Sequence, residues 1–217
     1  MQDHTLLRKD LPYKMIQFES VYLARKDKKI FSGLDMIIRE NEKVLIQGKS
    51  GIGKTTFFKV LLGFENIDNG SVKFNGYRID KAHIKKIRSQ IFYLSQDVDL
   101  MNNKVNILVD EILAANHKET LSKSGPEQYF SLLDLDHKIL KQEIKDLSGG
   151  ERQRIGLLIC FLLDRPVWLL DEPTSALDEG LKKRLSGYIL AQRKTIVIIS
   201  HYDIWKKHPD IKIAGWS

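Results

Sequence analysis

Hydrophobic and polar positions along the chain alternate between two periods. Residues 15–23 read as a strand. Short apolar stretches at 30–31, 34–38 and 44–47 follow, punctuated by Ser32-Gly33 and Glu40-Asn41, so the start is β-rich. The segment 55–62 takes helical spacing and stops at Gly63, as a C-terminal glycine would stop it. Asp68-Asn69-Gly70 and Asn75-Gly76 bracket 71–74, which fits a short strand pair, and 91–94 is the next buried strand. Between 105 and 147 the pattern predicts no strand, only helical patches at 109–115, 127–133 and 138–144, with Ser124-Gly125-Pro126 as a break. A buried helix over 150–163, a strand over 167–170, a helix over 179–192 and a strand over 195–199 complete the pattern. Strands alternating with helices predict an α/β fold with a parallel sheet.

Composition narrows this picture. With 217 residues, 42% hydrophobic and 29% charged, the chain fits one globular domain and is neither collagen-like nor disordered. The longest uncharged apolar run, 155–163, falls far short of the ~18 residues a bilayer span requires. Residues 1–14 carry Asp3, Arg8, Lys9, Asp10 and Lys14 with no apolar core, unlike a secretory signal. A single cysteine, Cys160, can form no internal disulfide, which fits a reducing compartment, so the expectation is a soluble cytoplasmic protein. The net charge of +7 is gathered around Arg25–Lys29, Lys81–Arg88 and Lys182–Arg184. Such clusters suit either solvated faces or surfaces for phosphate, nucleic acid or anionic lipid, and charge alone does not choose.

Chemistry enters at Gly48-Lys49-Ser50-Gly51-Ile52-Gly53-Lys54-Thr55, which satisfies G-x-x-x-x-G-K-[ST] directly after an apolar strand and before a helix. Its glycines let backbone N–H groups turn around phosphate oxygens. The helix N-terminus adds positive potential, Lys54 neutralises phosphate charge and the Thr55 hydroxyl can reach Mg2+. The strand at 167–170 ends in Asp171 and Glu172, which suits either a metal-holding acid followed by a general base, or a capping pair for the next helix. Ser148, Gly149, Gly150 and Glu151 precede the most apolar helix. They suit either a second anion site at a helix N-terminus or an ordinary capping box. Gln96 and His201 each follow a strand at the sheet's carboxyl edge, where α/β folds bind ligands, although a lone Gln or His there is commonly a satisfied loop residue. Two phosphate-binding elements with one lysine-bearing loop suggest that each grips a different nucleotide.

Taken in order, 48–56, Gln96, Leu147-Ser148-Gly149-Gly150-Glu151, Leu169-Leu170-Asp171-Glu172-Pro173-Thr174-Ser175-Ala176-Leu177-Asp178 and His201 resemble the ATPase domain of ATP-binding cassette (ABC) proteins over most of the chain. The resemblance implies a P-loop NTPase (RecA-like) parallel-sheet core with an antiparallel β subdomain and an inserted α-helical subdomain. Residues 15–95 and 165–217 would form the core with its β lobe, and about 97–164 the helical lobe. It further implies ATP and Mg2+ as cofactors, the ATP being held by 48–56, Thr56 included, in one copy and by Ser148–Glu151 of a head-to-tail partner. Thr55, Gln96 and Asp171 would be metal ligands, with Glu172, His201 and Lys54 catalytic. Asp178 would lie in a subunit-crossing loop. The expected partner is a separately encoded membrane permease, the chain sitting on the inner face of the cell membrane with no nucleic acid bound. The compact Gln96–Ser148 segment is similar to that of small export-type or metal-homeostasis ATPases. The competing expectation is a soluble ABC ATPase of iron-sulfur assembly or ribosome and nucleic-acid work. Two departures stand out: Arg25, with Tyr22 nearby, occupies the position of the adenine-stacking aromatic residue, and Ile159 stands where relatives commonly carry Arg.

Overall fold

The computed structural model describes residues 13–26, 28–49, 51–98, 100–121 and 126–216; Ser50 and the Ser124-Gly125 part of the expected break lie outside them. The first half contains β1 (Lys14–Arg25), β2 (Lys28–Arg39), β3 (Lys43–Ile46), α1 (Lys54–Leu61), β4 (Asn69–Phe74), β5 (Tyr77–Arg78), α2 (Ile84–Arg88) and β6 (Ile91–Leu94). The second half contains α3 (Val105–Ala115), α4 (Glu127–Leu133), α5 (Gly149–Leu163), β7 (Val167–Asp171), α6 (Glu179–Ala191), β8 (Thr195–Ile199) and β9 (Ile211–Ala214). Two sheets result: an antiparallel one in the order β2-β1-β4-β5, and a five-stranded one in the order β6-β7-β8-β3-β9 whose pairings are all parallel.

The period-two alternation of the central strands decides which face each residue serves. Leu45, Leu170, Ile196 and Ile198 turn to one side and pack with α3, α4, α5 and α6. Val44, Ile46, Leu169, Val197 and Ile199 turn to the other and pack with α1 and the antiparallel sheet. Both faces are covered, so β7 and β8 are buried along their whole length. Sequence and structure therefore agree on an α/β P-loop architecture with a β lobe and a helical segment between β6 and β7.

Local differences have physical causes. The stretches at 30–31 and 34–38 are one strand, because shifts in the β1–β2 register and Gly33 at φ +78° absorb the expected turn as a bulge. The patch at 138–144 is not an α-helix but two short 3-10 turns, His137–Lys141 and Ile144–Asp146, the first started by the Asp136 carboxylate accepting from the Lys138 N–H. The short elements α2 and β9 were not expected. β9 is an edge strand with Ile213 exposed, and its pairing to β3 is set by partners 168 or so residues away rather than by local pattern.

Candidate functional site

β3 delivers the chain into the 48–56 loop, and the loop into α1, whose N-cap Gly53 sits at φ +101°. Gly53, at φ +101°, is required by backbone angle and because an added Cβ would run into Ile30 Cγ2, whereas at Gly48, at φ +153°, the demand lies in the backbone angle, the close neighbour being the movable tip of the Ile52 side chain. Lys54 folds back over the loop, its ammonium donating to the carbonyls of Gly48 at 2.8 Å and Lys49 at 3.0 Å. The next residue, Thr55, donates its hydroxyl to Asp171 Oδ2 at 2.9 Å across a separation of 116 residues. Burial pushes the Asp171 carboxyl above the usual carboxylate range, the adjacent Glu172 adds to this, and the Thr55 hydrogen bond and Lys54 pull back.

Glu172 is buried, in the left-handed region at φ +47°, with its N–H donating to the Ile199 carbonyl at 2.8 Å. Both carboxylate oxygens have partners: Ser200 Oγ donates to Oε2 at 3.0 Å and the His201 backbone N–H to Oε1 at 3.1 Å. The His201 ring is exposed, with Nε2 3.7 Å from Oε1. These carboxylates do not cap a helix: Asp178 caps α6 instead, accepting from the Leu181 N–H at 3.0 Å. A cleft of about 320 Å3 is lined by Arg25, Gly51, Gly53, Lys54, Thr55, Thr56, Gln96, Asp171, Glu172 and His201 with Ile30 and Ile199. Residues from five separated segments thus meet at the carboxyl edge of the parallel sheet.

Arg25 lines this cleft and pairs with Glu65, whereas the Tyr22 hydroxyl lies against Gly33, away from it. Ser148–Glu151 lie apart from the cleft. There Ser148 N–H and Oγ both donate to Glu151 Oε2, at 2.8 and 2.7 Å, and Ser148 Oγ accepts from the Glu151 N–H, completing a capping box on exposed residues at the start of α5. Those same bonds, the Ser148 hydroxyl first, hold the Glu151 carboxyl below its ordinary value. Most members of the basic clusters are exposed, as a solvated face requires, and two are engaged in packing. Lys182 is buried, paired with Glu179 and stacked on Tyr202, and Arg88 lies over Phe64 while donating to the Leu62 carbonyl.

Three residues at the site escaped the sequence reading. Gln153, buried on α5, donates to the Glu172 carbonyl at 2.8 Å and accepts from the Ala176 N–H at 3.1 Å; nothing local marks it, because it lies among Glu151, Arg152 and Arg154 in the polar start of the helix. Ser200 sits beside His201, and Glu65 meets Arg25 only through the fold.

Comparison with known proteins assigns the class. The sequence profile described as ABC transporter matches residues 31–175, and the chain belongs to that family as an ATP-binding ATPase cassette. It is 28% identical over 211 residues to the transport/processing ATP-binding protein ComA of Streptococcus pneumoniae, covering 93% of this chain and 28% of that protein. It is 32% identical over 194 residues to an ATP-binding/permease protein of Rickettsia typhi named for export (85% of this chain, 34% of that one). To the energy-coupling factor transporter ATP-binding protein EcfA1 of Ureaplasma parvum it is 30% identical over 197 residues, covering 86% of this chain and 66% of that protein. The chain thus spans about a third or less of the ComA and Rickettsia proteins. The dimeric cassette MJ0796 has the same fold at TM-score 0.80 and 21% identity, covering 93% of this chain and 94% of that one.

Proposed function

We propose that this cassette hydrolyses ATP as one half of a head-to-tail pair and drives a membrane permease from the inner face of the membrane, in the direction of export. The observation that carries the reading is the 320 Å3 cleft, which joins a phosphate loop, two acidic residues, Gln96 and His201. Lys54 exchanges its loop carbonyls for β- and γ-phosphate oxygens. Thr55, Asp171 and Gln96 supply hard oxygen donors, few enough to leave positions for phosphate and water, which suits Mg2+. When bound, that ion would neutralise charge developing on the phosphates. The Glu172 carboxylate takes the proton of the attacking water, and His201 faces the γ-phosphate. The Arg25 guanidinium, steadied by Glu65, offers a flat cationic face to the base in place of an aromatic ring. The Ser148–Glu151 helix start, exposed at Ser148 and Gly149, would meet the partner copy's nucleotide.

Support for a permease comes from a groove of about 650 Å3 between the Gln96–Asn102 segment and Lys145, Gly149 and Arg152, beside the strongly exposed Met101. Relatives named for transport/processing and export support the direction. The test is to express tagged Glu172→Gln in the native cell with ATP. We expect turnover slowed by ~10²-fold or more with ATP binding retained, and stoichiometric recovery with a polytopic protein from gently solubilised membranes. Recovery from cytosol with ribosomes, iron-sulfur components or nucleic acid would overturn the transport reading, and a fully active variant would overturn the role of Glu172.

A further inference from the structure

The strand pair β3 and β9 delivers two segments side by side: Ile46 lies opposite Ala214, and the Gln47 N–H donates to the Ala214 carbonyl at 2.9 Å. Two residues on, the first segment enters the phosphate loop and the second reaches Trp216. A Cβ on Gly215 would lie 2.6 Å from the Gln47 carbonyl oxygen, so the approach depends on glycine there. The Trp216 ring is wedged against Phe57 of α1, centroids 5.7 Å apart, and edge-on to Phe31 of β2 at 5.4 Å. So clamped, its indole N–H donates to the Ile52 carbonyl at 2.9 Å.

In a planar trans peptide the C=O and the following N–H point in opposite directions. Holding the Ile52 carbonyl toward Trp216 therefore turns the Gly53 N–H the other way. Gly53 lines the nucleotide cleft and Trp216 does not. Lys28 Nζ acts in the same manner one peptide earlier, holding the Gly51 carbonyl at 2.6 Å. We propose that Trp216 is a positioning residue for phosphate binding, fixing from outside the loop the peptide whose N–H faces the nucleotide. The inference rests on the reading of 48–56 as a phosphate site.

Its test uses the full chain with two probes, ATP and the base-free tripolyphosphate, titrated calorimetrically. Trp216→Phe keeps an aromatic ring and removes the donor. It should weaken both probes by the same factor, about three- to tenfold, as expected for one neutral hydrogen bond. As a second variant, all three tryptophans are replaced by benzothienylalanine, which keeps the indole shape without the N–H. The Trp168 and Trp205 indoles have no hydrogen-bond partner, so this substitution removes only the Trp216 bond and should reproduce the same loss. Affinities within twofold of wild type in a folded variant, or a loss confined to ATP, would overturn the proposal. Wild-type protein that binds neither probe would overturn the phosphate-site reading as well.

Discussion

Asp171 shows how a single residue at this site trades stability for chemistry. Its folded pKa is raised chiefly by burial, so the folded state holds the proton more tightly than the unfolded chain does. The charge therefore costs stability above the folded pKa, and the cost disappears as pH falls through that pKa toward the unfolded value. Asp171→Asn keeps an oxygen for the Thr55 hydroxyl and removes the charge. It should raise the melting temperature of the nucleotide-free protein at neutral pH by roughly 2–4 °C. The gain should shrink as the pH approaches about 4, while hydrolysis falls by ~10²-fold or more. Calorimetric scans across pH beside a phosphate-release assay check both. Most of the side chains proposed for the site were legible because each sits within a motif or directly after an apolar strand. Gln153, Ser200 and Glu65 were not, because what they hold lies 19, 28 and 40 residues away.

Helix α5 does two jobs, and its two ends were unequally readable. The Ser148/Glu151 box is a local pattern and was open to the eye. One and a half turns later Gln153 anchors the turn that follows β7, which no periodicity announces. Gln153→Ala removes the amide donor to the Glu172 carbonyl, which keeps only the Ser175 N–H at 3.2 Å, and returns the N–H of the exposed Ala176 to solvent. The expected cost is about 1–2 kcal/mol in urea unfolding. Because the loss is felt in the peptide carrying Glu172, kcat should fall further than ATP affinity, a split that steady-state kinetics alongside a binding titration resolves. Among strands the same contrast holds: β7 and β8, buried on both faces, read as continuous apolar runs, whereas β9 is a four-residue edge strand with no buried position, too short and too exposed to declare itself.

At the scale of the whole molecule, Arg165 joins the helical segment to the sheet. Its guanidinium donates to the Arg88 carbonyl at 2.8 Å, to the Ile91 carbonyl at the start of β6, and to the Asn116 side chain at the end of α3. Arg165→Ala should destabilise the protein by about 1–3 kcal/mol and speed amide exchange in α3 more than in β7 or β8. An even loss of protection across the chain would show that the residue does not link the two parts. The presence of a helical segment was legible from the change of period after β6, but its docking was not, since that depends on a basic residue between α5 and β7 whose partners, two backbone carbonyls and the Asn116 side chain, lie far off in sequence.

The ammonium of Lys54 is already desolvated and already bonded to two carbonyls of its own loop. It acts as a placeholder, a cation stored where an anion will arrive. On the proposed function, nucleotide entry is then a swap of ligands around a standing charge, the ammonium giving up two carbonyls for phosphate oxygens. With the cation already placed, less of the free energy of capturing ATP goes into placing it, and more remains for the pairing of two cassettes.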